Sequence, residues 1–431
     1  MNRRKFLRTL VGAGAATAAF MLDNPFRPMF RIAHAAVGKT LVVIFQRGGC
    51  DGLNTVVPYG DGEYENLRPT IRIYPPDSSP PESELPAIDL NGFFGLHPSL
   101  SPLMRIWDAG DLAVLPTVHY PAASRSHFDG QHFIESAASM ADRANKDNLD
   151  GWLNRHLATF FQAGQLRAVS FGSSVAQALR GPMSVSSFGD LARFDLGLSD
   201  ALETALLNRL APVYGQPLDP DAAYRQLLQE SGGTVINNLA VAKSIDTGSY
   251  ETENGADYPN TTYGRQLKQI AQLIKADVGL EMATVNIGGW DTHSNQGAGA
   301  PTGRQARRFQ DFAGGIAALY TDLGSSRMAN VMILTMTEFG RTSKENGSFG
   351  TDHGHAASWF VAGGGGRVKG GIHGDWPGLD DLERGRWLKH TVDYRDVLGE
   401  ILTGFMENPD ISVVYTDPND PKPYELVGFI N

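Results

Sequence analysis

Asp352, His353 and His355 stand together in "TDHGHAASWFVAGG", fourteen residues and more after the acid Glu338 in "TEFGRT". Asp291 and His293 form an Asp-x-His pair in "GGWDTHSNQ", and Asp51 sits in "RGGCDGLNTVVP". Carboxylate and imidazole side chains at such density are metal-ligand chemistry. Zinc-like ions accept both donor types, while magnesium, calcium and manganese prefer oxygen. A second kind of chemistry is written in "SRSHFDGQHF", where Ser124, Arg125, Ser126, His127 and Asp129 crowd a turn leading into a helix. A hydroxyl at a helix N-terminus suits a nucleophile or an anion site. Ordinary N-capping by Ser124 or Ser126 is the plainer use of such a turn.

The elements that position these residues follow from the apolar pattern. Thr40 to Gln46, Leu112 to Val118, Leu166 to Gly172, Met282 to Ile287, Val331 to Met336 and Ser358 to Ala362 are short apolar runs, as expected of buried strands. Helical spacing predicts helices over Leu100 to Asp108, Gly151 to Phe160, Gly264 to Ala276 and Arg304 to Leu323. It also predicts a mostly helical stretch over 196–246 and a helix near the C-terminus starting at Thr391 or Asp393. Residues 59–93, rich in Pro, Ser and acids, read as an irregular excursion. Strands alternating with helices indicate an α/β fold, a doubly wound and mostly parallel sheet in a three-layer α/β/α sandwich. In such folds ligands lie beyond the carboxyl ends of the strands. Asp51, the Ser124–Ser126 turn, the Asp291–His293 pair and Glu338 each follow a strand, so four strands deliver them to one edge. Three or four carboxylates gathered there repel one another unless a cation sits among them.

Composition narrows the functional classes. The chain has 431 residues and a formal net charge of −10, which excludes sequence-independent nucleic-acid binding through a basic face. Its single cysteine, Cys50, excludes an intrachain disulfide. The first segment carries Arg3-Arg4-Lys5-Phe6-Leu7, then a mild Ala/Gly-rich run, then "AHAA" at Ala33 to Ala36. This is the pattern of a twin-arginine signal peptide over residues 1–35, with the translocase as partner and a periplasmic or otherwise exported destination. The apolar run is too short and weak for a permanent membrane span. Residues 36–431 read as a single domain with insertions, since there is no internal repeat and no long linker.

"RGGCDGLNTVVP", "SRSHFDGQHF", "GWLNRH", "GGWDTHSNQ", "TEFGRT" and "TDHGHAASWFVAGG" together resemble an exported bacterial family called domain of unknown function 1501, over essentially all of residues 36–431. The order of parts also resembles the alkaline phosphatase and sulfatase superfamily. That resemblance implies an alkaline-phosphatase-like fold and a nucleophile at Ser126 or Ser124. It implies one metal held by Asp291, His293 and either His353 or His355. A second metal would take Asp51, the acid at Glu338 and the nucleophile. Here Glu338-Phe339 stands where the superfamily has an acid followed by His, so one or two ions are expected. The modified sulfatase nucleophile is absent.

These expectations add up to a metal-dependent hydrolase of small anionic substrates, phosphate or sulfate esters, with zinc as the first candidate ion. Ser126 would attack or orient water, Arg125 would hold the anion, and His127 would be an acid, a base or a further ligand. Arg341 could bind an anion or pair with a carboxylate. The competing class is an exported metal-binding or assembly protein without turnover. A third reading, carbohydrate binding, rests on Trp290 and Trp359 as stacking faces.

Overall fold

A computed structural model describes residues 38–121, 123–138, 150–161, 164, 166–193, 198–214, 250–417 and 422–431, with scattered positions between 232 and 249. The expected signal segment, and most of the helical stretch beyond Asp200–Tyr214, lie outside the described residues. Nine strands form the main sheet: β1 (Thr40–Arg47), β2 (Leu112–His119), β3 (Ala168–Phe171), β4 (Ser186–Phe188), β5 (Met282–Gly288), β6 (Val331–Met336), β7 (Ala357–Gly363), β8 (Gly371–Ile372) and β9 (Val392–Asp393). Their order is β8-β2-β7-β6-β1-β5-β3-β4, with β9 also paired to β2.

β1 is central because every residue from Thr40 to Gln46 is buried, which a strand covered on both faces requires. Its pairs with β5 and β6 are parallel, in registers Val43↔Thr284 and Val43↔Leu334. Alternate residues enter different cores. Val42 and Ile44 pack with residues of α1 (Thr262–Lys275) and α2 (Arg304–Met328). Leu41, Val43 and Phe45 pack with residues of the helices Trp152–Thr159 and Tyr394–Glu400. The expected helix over Leu100 to Asp108 is a 3₁₀ segment at Pro98–Leu103 running into one α-turn at Met104–Asp108. Pro102 removes a donor that a regular α-helix would use.

β7 departs from the parallel pattern. It runs antiparallel to both β2 and β6. The connection from β6 to β7 is therefore a long hairpin. Glu338 leaves the carboxyl end of β6 and His353 and His355 enter the amino end of β7, so both arrive at the same edge. Residues of the 59–93 excursion form a third small core with Leu53, Val57, Ala298, Leu379 and Leu388. A three-stranded sheet of residues 56–57, 95–96 and 88–89 frames it.

Candidate metal centre

The turn after β1 sets the floor of the site. Gly48 has φ +125°, and a Cβ there would lie 2.7 Å from the Asp291 backbone nitrogen. Only glycine lets the β1 and β5 turns approach this closely. The Gly48 N–H donates to Glu338 Oε1 at 2.9 Å, tying the turn to the end of β6. After β2 the chain enters the helix His127–Ser136, with Ser126 at its N-cap position. The Ser126 side chain makes no capping bond. Ser124 Oγ instead accepts from the Ser126 N–H at 3.2 Å and donates to Asp129 at 3.2 Å.

Three imidazoles converge on one carboxylate, and each is held from behind through Nδ1. His127 Nδ1 donates to Glu338 Oε1 at 2.8 Å, His293 Nδ1 to Asp352 Oδ1 at 2.9 Å and His353 Nδ1 to the Arg125 carbonyl at 2.8 Å. Carboxylate and carbonyl oxygens only accept, so the proton sits on Nδ1 in all three rings. Every Nε2 of a neutral ring then presents a lone pair inward. His293 Nε2 and His353 Nε2 are 3.1 Å apart, and they lie 3.0 and 3.4 Å from Asp291 Oδ1. His127 Nε2 is 3.6 Å from Asp291 Oδ2 and is enclosed without a hydrogen-bond partner. Lone pairs facing each other at these distances need a cation between them, a proton or a metal ion.

The spacing suits a metal. Two donors bound to one ion at about 2.0–2.1 Å and a tetrahedral angle lie about 3.3 Å apart. His127, Asp291 and His353 offer two nitrogens and one oxygen, and His293 adds a third nitrogen beside Asp291 and His353, a donor mix that a zinc-class ion prefers. His127, Asp291 and His353 have ligand atoms mutually within 4.8 Å. Carboxylate or carbonyl partners on the outer nitrogen are the usual way a protein fixes a ligand histidine. Asp291 and His293 are close to half exposed, so the cluster opens to solvent.

Electrostatics sharpen these roles. The Glu338 bond raises the His127 pKa above its ordinary value, against the opposing effect of burial. Burial would raise the Glu338 carboxyl, but bonds from His127, Gln131 and the Gly48 N–H outweigh it and hold the group anionic below its usual range. Asp291 is likewise lowered, burial being overcome by the Arg341 guanidinium at 2.7 Å. Burial lowers His353, keeping it neutral and able to act as a ligand.

Asp291, His293 and His353, three residues expected as ligands, are thus brought together, and His127 joins them from the helix. The other three expected ligands lie elsewhere. Asp51 is wholly buried and takes both terminal nitrogens of Arg68 at 2.6 and 2.9 Å, with Gln296 Nε2 at 2.6 Å. Its charge is neutralised inside the protein, by an arginine from the excursion. Glu338 touches His127 rather than the cluster's interior. His355 turns away to His390, Nε2 to Nδ1 at 2.8 Å.

The expected catalytic side chains also move apart. The Arg125 guanidinium stacks over Trp387 at 3.3 Å and faces Glu383, so only its backbone carbonyl serves the cluster. Arg341 pairs with Asp291 and Thr351 rather than awaiting an anion. Trp290 and Trp359 are each 1% exposed, which removes both as sugar-stacking faces. Asp352 stands in the loop that the sequence singles out, but its role as the clamp of His293 is set by a partner far away along the chain, and Gln131, which clamps Glu338, had no signal of its own in the sequence.

No curated protein matches the chain. A solved structure described as PH0037 protein from Pyrococcus horikoshii aligns over 86% of this chain and 98% of its own, at 12% identity and a TM-score of 0.31, a likeness too slight to bear on the site. The family described as protein of unknown function (DUF1501) matches residues 38–403, the stretch that carries every residue of this cluster, and the chain belongs to that family.

Proposed function

We propose that the protein is an exported metal-dependent hydrolase of small anionic esters, phosphate or sulfate, with an alkaline-phosphatase-like arrangement of its α/β fold. One observation carries the reading: three Nδ1-tethered imidazoles turn their Nε2 lone pairs onto the Asp291 carboxylate at an open edge of the sheet. His127, Asp291, His293 and His353 would hold the ion. A bound divalent ion, zinc first, supplies Lewis acidity and lowers the pKa of a hydroxyl or water. Ser126, partly exposed, not engaged in capping and next to His127 in the chain, would attack or orient water. Glu338, Asp352 and the Arg125 carbonyl keep the rings oriented. Arg341 holds Asp291 in its ionised form. Residues 1–35 are the proposed twin-arginine signal for delivery to the periplasm.

The test is metal content of the purified chain by elemental mass spectrometry, wild type beside Asp291→Ala. Near-stoichiometric zinc or manganese lost in the variant supports the centre. Release of phenolate from aryl phosphates or sulfates, dependent on that metal and on Ser126, supports the hydrolase. Absence of metal after reconstitution with zinc, manganese, magnesium and calcium sinks both. A non-catalytic metal-binding or assembly role is the second reading. It is favoured by the Asp51–Arg68 pair, which takes one expected ligand out of any second ion's reach. Stoichiometric metal with no turnover across the ester panel would select it.

A further inference from the structure

The Arg125 carbonyl holds His353, but its guanidinium turns elsewhere and lies 3.3 Å from the centre of the Trp387 ring. Trp387 is 8% exposed, so the cation rests on a buried face, while 27% of the Arg125 side chain stays open to solvent. Its Nε is enclosed, and no described residue accepts a hydrogen bond from the guanidinium. Glu383 faces it at 3.9 Å, too far for such a bond, and the other Glu383 oxygen lies 3.2 Å from His355 Nε2. Arginines with a purely structural task in this protein behave differently. Arg68 donates to the Ser343 and Thr342 carbonyls and Arg341 to the Thr351 carbonyl. A largely buried polar group with no partner calls for one.

Two further arginines join it. The Arg386 guanidinium lies 5.5 Å from the same ring, and Arg384 and Arg386 both act on Arg125 as like charges. Both are exposed, and no described acid forms an ion pair with either. Arg384 takes φ +52° at the first central position of the Glu383–Arg386 turn, where Asn, Asp or Gly is usual. The turn is stitched to the metal centre. Trp387 pairs with Thr342, and Arg341, the residue before it, pairs with His353. The Ser343 N–H donates to the Arg386 carbonyl at 3.1 Å. Three guanidinium groups against one carboxylate leave positive charge in excess, within one arginine side chain of the His353 ring. A guanidinium stacked on an aromatic face is weakly hydrated and preset to meet a carboxylate or phosphate with two N–H groups.

We propose that Arg125, Arg384 and Arg386 form an anion subsite beside the metal centre, and that the ester acted on there carries a second oxyanion group, a phosphate, sulfate or carboxylate, away from the scissile bond. That substrate class rests on the hydrolase reading above, whereas the subsite rests on the arginines alone.

Uncleavable phosphonates test it by calorimetry on the zinc-loaded full chain. Straight-chain bisphosphonates with an anion at each end, in a series of increasing spacer length, are compared with the alkylphosphonate of the same length. At the spacer that fits, wild type is expected to bind the two-headed ligand at least about tenfold more tightly. Arg386→Gln removes an exposed side chain and keeps the backbone bond to Ser343, so the fold is not at stake. It and Arg125→Gln should each cut that ratio about threefold or more, and the double variant should bring it to about two, the statistical factor of a two-headed ligand. No advantage at any length, or an advantage that survives the double variant, overturns the subsite. Turnover of aryl phosphates and sulfates, with and without a carboxylate on the ring, separates this from the hydrolase reading. Turnover without the bisphosphonate advantage overturns the subsite and leaves the hydrolase standing. The advantage without turnover of any ester overturns the hydrolase, and the substrate class with it, and leaves the subsite standing.

Discussion

Replacing Glu338 by Gln removes one charge and almost no volume. The carboxylate is fully buried and accepts from the Gly48 N–H, His127 Nδ1, Gln131 Nε2 and Thr337 Oγ1. An amide accepts through its oxygen only, and its NH₂ would face donors. Losing one such outer partner of a ligand histidine typically weakens metal binding 10–100-fold. At about 1.4 kcal/mol per tenfold, that is about 1.4–2.7 kcal/mol of binding energy. The buried donor left without a partner adds about 1–3 kcal/mol of lost fold stability.

The metal-free protein gives an independent sign. The His127 pKa is raised from 6.5 by Glu338, so its contribution to stability is complete below 6.5 and fades as pH rises through the raised value. The Glu338 pKa is lowered from 4.5, so its contribution is complete above 4.5 and fades as pH falls through the lowered value. The wild-type advantage over Glu338→Gln in the metal-free state should therefore be largest between about pH 5 and 6 and smaller at pH 8. Zinc competition with a chromophoric chelator measures the affinity, urea unfolding at three pH values measures the stability, and imidazole NMR follows His127. An unchanged zinc affinity, in a variant whose His127 pKa has fallen as expected, would refute the claim that Glu338 orients a metal ligand.

Asp51→Asn breaks a fully buried ion pair and strands Arg68, so about 3–5 kcal/mol of stability is expected to go. Metal content should stay at the wild-type level, and its loss in a folded variant would return Asp51 to the centre. Gly48→Ala forces a Cβ to 2.7 Å from the Asp291 nitrogen at φ +125°, and should lower Tm and metal occupancy together. Tm by calorimetry and zinc by elemental analysis read both. Asp322 is buried between Lys275, Tyr250, Tyr258 and the Glu253 N–H. Those bonds outweigh burial and lower its pKa below 3.8, so its contribution holds above that value and is lost as pH falls through the lowered one. The stability gap between wild type and Asp322→Asn should thus narrow between pH 5 and pH 3 in urea titrations.

Much of this fold is legible because buried strands are apolar without interruption. Thr40–Arg47, Leu112–His119, Met282–Gly288 and Val331–Met336 match the apolar runs to within about a residue. Strand direction is not written in such a run, so Ala357–Gly363 reads equally well either way and proves antiparallel. Three members of the cluster are legible because Asp291, His293 and His353 follow or precede strands at one edge. The choice between His353 and His355 is not, since both stand in one short loop and what separates them is a set of distant partners, Arg125 for one and His390 for the other. Arg68 is invisible as a partner for Asp51 because it comes from a Pro-rich excursion with no periodic pattern.

The physical case for a cation also changes form. In the sequence it rests on repulsion among carboxylates. In the structure each of those acids has its own partner: Asp51 and Asp291 are paired with the Arg68 and Arg341 guanidinium groups, while Glu338 and Asp352 accept Nδ1–H bonds from His127 and His293, Glu338 with further bonds from the Gly48 N–H and Gln131. Charge crowding is already relieved by the protein. What remains is nitrogen: His127 Nε2 has no partner, and the Nε2 atoms of His293 and His353 face each other and Asp291. A hard ion such as magnesium or calcium gains little from imidazole, and only one carboxylate is turned toward it. Zinc or cobalt should therefore survive gel filtration with the wild-type chain, while calcium and magnesium wash out. Retention of calcium in preference to zinc would mean that oxygen donors, and not these imidazoles, define the centre.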